Sequence, residues 1–232
     1  KLQEKCKAAK DNPAKLQEAS RMYLSSLAAL RAAMLEANAK RPLQHRLSLN
    51  EIIDLSLKYK ILHKLDEPAR VSQEPKASGT GWRTITNFGP VARGAQRLVL
   101  ELLRMTYMPA PFQFTRLGVH AAIKEAHRLI TEEEHRYVAE IDIRNHYTSF
   151  DEQLLTHALP LPTAAVREIV MAASTQWEVQ AVSPPFCNPI FHPTPHGIPQ
   201  GSAASSAVAE WSVSKLEMVT VAVPAATVTL TA

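Results

Sequence analysis

The sequence predicts an α/β fold from two kinds of segment that differ in the spacing of their apolar residues. Most of residues 1–66 place apolar side chains three and four positions apart, which is typical of helices. Residues 82–88, Trp-Arg-Thr-Ile-Thr-Asn-Phe, mix polar residues with the aromatic and β-branched side chains of strands, and residues 137–143 form a largely apolar run. Both of these patterns indicate strands. We therefore expect a helical N-terminal region followed by a sheet-containing region.

The composition is that of a globular protein with a slight excess of positive charge. Of the 232 residues, 46% are hydrophobic and 21% are charged, which is enough apolar material for the core of one or two domains. The net charge of +4 favours polyanionic partners only weakly. No apolar run reaches the roughly 18 residues of a membrane span. Two cysteines give no disulfide framework, so we expect a cytoplasmic protein without membrane contact.

The N-terminal region, residues 1–66, contains two clear helix starts. Asn12 precedes Pro13, and asparagine is a favoured N-cap when proline takes the first helical position. Ser48 and Glu51 have the spacing of a capping box, in which both side chains bind free backbone N–H groups at the helix start. These signals predict at least two helices before residue 67.

The second region, residues 67–218, mixes strands and helices. Prolines and glycines interrupt an extended pattern over residues 67–89, which predicts a β-hairpin. Apolar periodicity predicts helices over residues 91–107, 119–130 and 163–173.

Asp142 is the first candidate for a chemical role, because it ends the predicted strand over residues 137–143. A carboxylate on such a rigid support can meet a metal ion or a phosphate. Magnesium prefers hard oxygen ligands, and two such ions can clamp the attacking and leaving oxygens of a phosphoryl transfer. The alternative is that Asp142 only closes a turn. Asp151 is predicted to be a helix N-cap in either case.

Residues 196–202, His-Gly-Ile-Pro-Gln-Gly-Ser, form the second candidate. Gly201 and Ser202 allow a backbone or a base to approach closely at the start of a helix predicted over residues 202–218. Gln200 can both donate to and accept from the edge of a base or sugar. The alternative is a loop that leads into a tightly packed helix.

Together, the two segments resemble motifs A and B in the palm of reverse transcriptases, in the style of bacterial group II introns and retrons. That pattern places an aromatic residue five positions after the catalytic Asp, as Tyr147 follows Asp142, and later has G-I-P-Q-G-S, as in residues 197–202. Upstream, Arg83 resembles the basic residue of the fingers, and residues 112–123 resemble the segment between fingers and palm. The resemblance implies a fingers–palm fragment of a right-hand polymerase behind the helical N-terminal region.

The resemblance, which covers about residues 80–217, implies roles for the matched residues around the metal and the sugar. Asp142 and the backbone carbonyl of Ile143 would bind Mg²⁺. Tyr147 would exclude the 2′-hydroxyl of a ribonucleotide, the group that separates RNA from DNA building blocks. Arg83 would bind the triphosphate through its planar fork.

It further implies that Gln200 and Gly201 line the nascent base pair. The partners would be an RNA template, a DNA primer and deoxynucleotides. The reaction would be attack of the primer 3′-hydroxyl on the nucleotide with loss of pyrophosphate, and the protein would contribute positioning and charge neutralisation.

The family's third palm motif, Y-x-D-D, has no counterpart here, because no Asp follows Asp151. A thumb is also missing, so we expect that this chain alone does not polymerise DNA. Residues 219–232 carry no charge and differ in composition from the region before them. A frameshift near residue 218, a fragment of a longer protein and an authentic short chain are all compatible with this tail.

Two other interpretations compete with a polymerase. A non-catalytic nucleic-acid-binding or scaffold protein of the same fold could use the basic helix that carries Arg93, Arg97 and Arg104. An unrelated helical protein would match the motifs by chance and would hold Asp142 and Gln200 far apart.

A zinc site at Cys187, His192 and His196 is not expected. No fourth ligand accompanies these residues, and the prolines between them prevent a shared helical face.

Overall fold

In a computed structural model of the chain, helices that pack mainly against one another are joined to a small sheet. The structure describes residues 1–75, 82–107, 109, 113–114, 117–133, 146–179 and 197–220; of Arg83, Val213 and residues 215–220 only the backbone is described. The helices are α1 (Leu2–Ala8), α2 (Pro13–Leu24), α3 (Leu27–Ala39), α4 (Leu49–Lys58), α5 (Pro90–Thr106), α6 (Val119–Thr131), α7 (Glu152–Ala158), α8 (Thr163–Ala165) and α9 (Ser205–Thr220). The strands are β1 (Pro68–Pro75), β2 (Trp82–Asn87) and β3 (Gln176–Val179).

Both helix starts predicted in the N-terminal region are confirmed. Asn12 precedes α2, and its side chain accepts a hydrogen bond from the backbone N–H of Lys15 at 3.1 Å. At the start of α4, Ser48 and Glu51 form the predicted capping box. The Glu51 carboxylate accepts from the Ser48 N–H at 2.7 Å, and the Ser48 hydroxyl accepts from the Glu51 N–H at 3.3 Å.

The predicted hairpin is confirmed as β1 and β2, which pair antiparallel with Val71 opposite Thr86. On the other side of β1, β3 pairs in parallel and places Val179 opposite Val71. This third strand was not predicted, because a segment of four residues is too short to show a period. Its partner also lies far away in the sequence. β1 is therefore the central strand of the described sheet.

Helix α5 lies at the centre of the core and confirms the amphipathic helix predicted over residues 91–107. Gly94 lets α3 come close, because a side chain at this position would overlap Met34. Tyr23 of α2 donates a hydrogen bond to the Glu101 carboxylate of α5 at 2.7 Å. Burial raises the pKa of Tyr23 to about 12. The N-terminal helices and the sheet region thus share one hydrophobic core.

A buried carboxylate caps the start of α5. Glu67 lies just before β1 and is only 5% exposed. Its carboxylate accepts hydrogen bonds from the N–H groups of Val91 at 3.1 Å and Ala92 at 2.7 Å. Negative charge is favourable at a helix N-terminus. Gly89 leaves room for this cap, since any side chain there would overlap the Glu67 carboxylate.

The helix predicted over residues 163–173 is shorter and partly of another type. After α8 the chain makes a π-helical turn over Val166–Val170, and Ala172 then takes a positive φ of 53°. Within this turn the Glu168 carboxylate is buried and accepts the N–H of Leu65 at 3.0 Å. This bond to a distant part of the chain holds the turn in place, and apolar periodicity gives no sign of it.

The last helix begins later than predicted. α9 starts at Ser205 rather than at residue 202, because the preceding residues form turns. The Ser205 hydroxyl donates to the carbonyl of Pro199 at 2.8 Å and ties the helix start to those turns.

The strand that was predicted over residues 137–143 lies outside the described residues. The same holds for residues 221–232 of the uncharged tail. Within the part of the chain that the structure describes, no helix combines the length and the apolar character needed to cross a membrane.

We expect Glu67→Ala to lower the free energy of unfolding by about 1–3 kcal/mol, because two backbone N–H groups lose their buried acceptor. Asp66→Ala is the matched control. Asp66 pairs with Lys64 at 3.2 Å near the surface, and such a pair contributes about 0–1 kcal/mol. Urea denaturation at neutral pH measures both variants, and equal losses would contradict the capping role.

The Glu67 carboxyl group should also make the stability of the protein depend on pH. Burial raises the pKa of Glu67 above its usual value, although the two N–H bonds oppose this shift. The folded chain therefore keeps this proton to a higher pH than the unfolded chain. Glu67 contributes its full stabilisation at a pH below its pKa in the unfolded chain. This contribution is lost as the pH rises through the pKa of Glu67 in the folded chain. Relative to Glu67→Gln, we expect the unfolding free energy of the wild type to fall from about pH 4.5 upward. Urea titrations at several pH values check this, and parallel curves would argue against it.

Candidate functional site

Three segments that are distant in the sequence meet at the loop that matches the second motif. The backbone N–H of Ile198 donates to the carbonyl of Tyr147 at 2.8 Å. The N–H of Thr86 in β2 donates to the carbonyl of Gln200 at 2.9 Å. The loop therefore links the short 3-10 turn that carries Tyr147 to the edge of the sheet. We call Thr86, Tyr147 and residues 197–201 the junction.

Two glycines make the junction possible. Gly197 has a φ of 69° and Gly201 a φ of 103°, in the left-handed region that other residues rarely adopt. A Cβ atom at Gly197 would overlap the carbonyl of Tyr147, and one at Gly201 would overlap the carbonyl of Thr86. The loop can therefore approach both neighbours only with glycine at these positions.

Tyr147 is held on a rigid support. It is half-buried and packs against the hydrophobic core, and its ring lies edge-on to that of His146 with 5.6 Å between the ring centres. The chain then enters α7, where the Asp151 carboxylate accepts the N–H of Leu154 at 2.7 Å. This bond confirms the predicted N-cap and commits the Asp151 side chain to the helix.

Gln200 and Gly201 are exposed, so the loop presents both to solvent. Behind them, Gln96 of α5 is 1% exposed and accepts a hydrogen bond from the backbone N–H of Ala203 at 3.3 Å. Gln96 was not among the predicted site residues. The sequence sign that Gln96 is buried is its position on the apolar face of the helix, three residues before Val99.

The remaining predicted residues are placed only in part. Arg83 lies on β2, opposite Glu74 of β1 and three residues before Thr86. Asp142 and Ile143 lie outside the described residues. The structure thus brings the strand that carries Arg83, the turn that carries Tyr147 and the motif loop together.

A metal centre is not formed by the described residues alone. Within the ranges given above, no three His, Cys, Asp or Glu side chains group closely enough to hold a metal ion. The predicted Mg²⁺ ligands Asp142 and Ile143, and the residues Cys187, His192 and His196, belong to other segments.

The basic residues of α5 differ in their surroundings. Arg97 forms an ion pair with Glu36 of α3 and lies 3.8 Å from Glu101, so its charge is balanced within the protein. Arg93 donates a hydrogen bond to the side-chain carbonyl of Asn87. The helix is therefore not a uniform phosphate-binding stripe, because Arg97 serves to connect α3 and α5.

No protein-family model matches the chain, and no curated protein matches it significantly. Function is therefore inferred from the geometry of the junction and from the residues around it.

Gly201→Ala should destabilise the protein more than Gly118→Ala. Both glycines have positive φ, 103° and 84°, which side-chain-bearing residues rarely adopt, so both substitutions carry a backbone penalty of about 1–3 kcal/mol. Among the described atoms, none lies within 4 Å of a Cβ built at Gly118, whereas a Cβ at Gly201 would overlap the Thr86 carbonyl. This overlap should cost about 1–3 kcal/mol more, measured by urea denaturation. Equal losses would indicate that the loop does not contact β2 in solution.

Proposed function

We propose that the chain is a fingers–palm fragment of a reverse transcriptase, an RNA-directed DNA polymerase of the group II intron and retron kind. The observation that carries this proposal is the junction. The loop at residues 197–201 bonds to Tyr147 on one side and to β2, the strand of Arg83, on the other. A chance match of motifs gives no reason for these three segments to meet.

In this proposal the residues of the junction surround an incoming deoxynucleotide. Tyr147, supported by the core, would stand beneath the sugar and leave no room for a 2′-hydroxyl. The exposed Gln200 and Gly201 would line the base pair that forms with the template. Arg83 would bind the phosphates through its planar fork. These groups would act by positioning the nucleotide against the primer 3′-hydroxyl.

Magnesium belongs to the proposal through Asp142 and the carbonyl of Ile143. When bound, the ion neutralises phosphate charge. The 232 residues hold no Asp after Asp151, so they supply one of the two catalytic carboxylates that the family uses. We therefore propose that these residues bind an RNA template, a DNA primer and a deoxynucleotide in the cytoplasm, but do not extend the primer alone.

Nucleotide selection tests the role of Tyr147. We expect the wild-type chain, with Mg²⁺ and a primer–template, to bind a labelled deoxynucleotide about tenfold more tightly than its ribonucleotide counterpart, a difference of about 1.4 kcal/mol. Tyr147→Ala should bring the ratio close to one, whereas Tyr147→Phe should keep it because the ring is retained. Fluorescence anisotropy titrations measure the affinities of each variant for both sugars.

His157→Ala is the control, because it removes an exposed ring of the next helix, α7, whose hydrogen bond is to Gln153 of the same helix. Equal affinity of the wild type for both sugars would overturn the polymerase proposal. Binding of RNA without any nucleotide binding would favour a non-catalytic protein of the same fold.

Primer extension on an RNA template, with Asp142→Ala alongside, tests the expected inactivity. We expect no extension by either chain. Extension by the wild type that disappears in Asp142→Ala would mean that a second carboxylate comes from another residue, and the proposed inactivity would then be wrong.

A further inference from the structure

A groove of about 630 Å³ lies beside the sheet. It is next to Asn87, the last residue of β2. Its walls come from the end of α3 and the loop after it, from the start of β1 and from the first turn of α5. The charged side chains that line it are Lys40, Arg41, Arg70, Arg93 and Glu178. Four cations thus face one carboxylate.

The single carboxylate of the groove is already engaged. Glu178 of β3 lies opposite Arg70 of β1 in the sheet, and their side chains form an ion pair at 3.5 Å. Lys40 at the rim reaches Glu36 only at 4.0 Å, with both side chains well exposed. Exposed pairs of this kind are weak. The positive charge of the groove is therefore only partly balanced.

Two of the lining guanidinium groups, those of Arg41 and Arg93, lie outside the pair formed by Arg70 and Glu178. The Arg93 guanidinium is fixed by its hydrogen bond to Asn87. Burial lowers the pKa of Arg93, and the charge of the neighbouring Arg41 lowers it further, while the buried Glu67 acts in the opposite direction. Among the described side chains, none forms an ion pair with Arg41. Arg41 and Arg93 line the same groove, and like charges in one site favour the binding of an anion between them.

The backbone that carries Arg41 is fixed in place. Arg46 donates from Nε to the carbonyl of Arg41 at 2.9 Å and from Nη2 to the carbonyl of Ala39 at 2.7 Å. These bonds also satisfy carbonyl groups at the end of α3, where a cation is favourable. Arg41 is therefore presented to the groove from a stable turn.

The start of α5 does not provide the anion site. Its N–H groups at Val91 and Ala92 are occupied by the Glu67 carboxylate. Recognition of an anion in the groove would therefore depend on the guanidinium groups, which bind phosphate oxygens with a planar pair of donors.

We propose that this groove binds the phosphate groups of a single-stranded nucleic acid, with Arg41 and Arg93 as the principal contacts. The four cations come from the end of α3, from β1 and from α5 and line one groove, which suits several phosphates better than one isolated ion. A groove of this volume admits a strand or a small ligand and cannot enclose a duplex. The proposed function already includes an RNA template, and the groove adds to that function a binding site for the strand that needs neither the junction nor a nucleotide.

Anisotropy with a short labelled single-stranded RNA, titrated with the full chain at several salt concentrations, tests the groove. We expect Arg41→Ala to weaken binding about three- to tenfold for RNAs of different sequence, because backbone contacts carry no base information. The slope of log affinity against log salt should fall by about 0.7 for each phosphate that the variant no longer binds. Thermal unfolding should be unchanged or slightly raised, because a like-charge repulsion is removed.

Two variants serve as controls. Arg41→Lys keeps the charge and should retain most of the affinity. Lys15→Ala removes one exposed cation on α2, away from the groove, and should leave binding unchanged. Equal losses in Lys15→Ala and Arg41→Ala would mean that only net charge attracts RNA, and the proposal would be wrong.

Unlabelled duplex of the same sequence and inorganic pyrophosphate, added as competitors, distinguish the ligand. Weak competition by both supports a single strand. Displacement by pyrophosphate at lower concentration than by the unlabelled strand would overturn the proposal in favour of a small phosphate ligand. Tyr147→Ala should bind RNA like the wild type. The test of RNA binding by the groove and the test of nucleotide selection at Tyr147 can therefore succeed or fail independently.

Discussion

The hydrogen bonds from the first turn of α5 to the Glu67 carboxylate join the central helix of the core to the start of the sheet. They set the start of α5 against the start of β1, and a glycine at position 89 is needed for that approach. Apolar packing is non-directional, so it would allow α5 to slide or rotate. Buried hydrogen bonds to a charged group prevent such movement, because a displaced donor would lose its partner in a dry environment.

From this fixed position α5 organises two surfaces. Gln96 supports the turns that lead from the motif loop into α9. One turn earlier, Arg93 lines the basic groove, and its neighbour Asn87 ends the strand whose residue Thr86 meets the loop. The junction and the groove therefore share a common frame although they share no charged residue. A ligand in one would act on the other only through α5 and β2.

The parts of the fold that could be predicted from the sequence are those determined by neighbouring residues. The caps at Asn12, Ser48 and Asp151 depend on partners three residues away, and all three were confirmed. The π-helical turn and β3 depend on bonds to Leu65 and to β1, which lie far away in the chain, so local patterns could not reveal them. At the candidate site, the residue pattern indicated the loop, and the resemblance added Tyr147. For Gln96 the sequence offered one sign, its position on the apolar face of α5, and its role came from the tertiary structure because a glutamine usually faces water.

The bond between Thr86 and Gln200 has a consequence for association between molecules. The Thr86 N–H group belongs to β2, which is an outer strand of the described sheet. A strand of another chain can pair with the free edge of an outer strand. The loop occupies that donor, so a foreign strand could pair with this part of β2 only after the loop had moved away. Mutations that loosen the loop would therefore be expected to appear first as poor solubility during expression, before any loss of binding is measured.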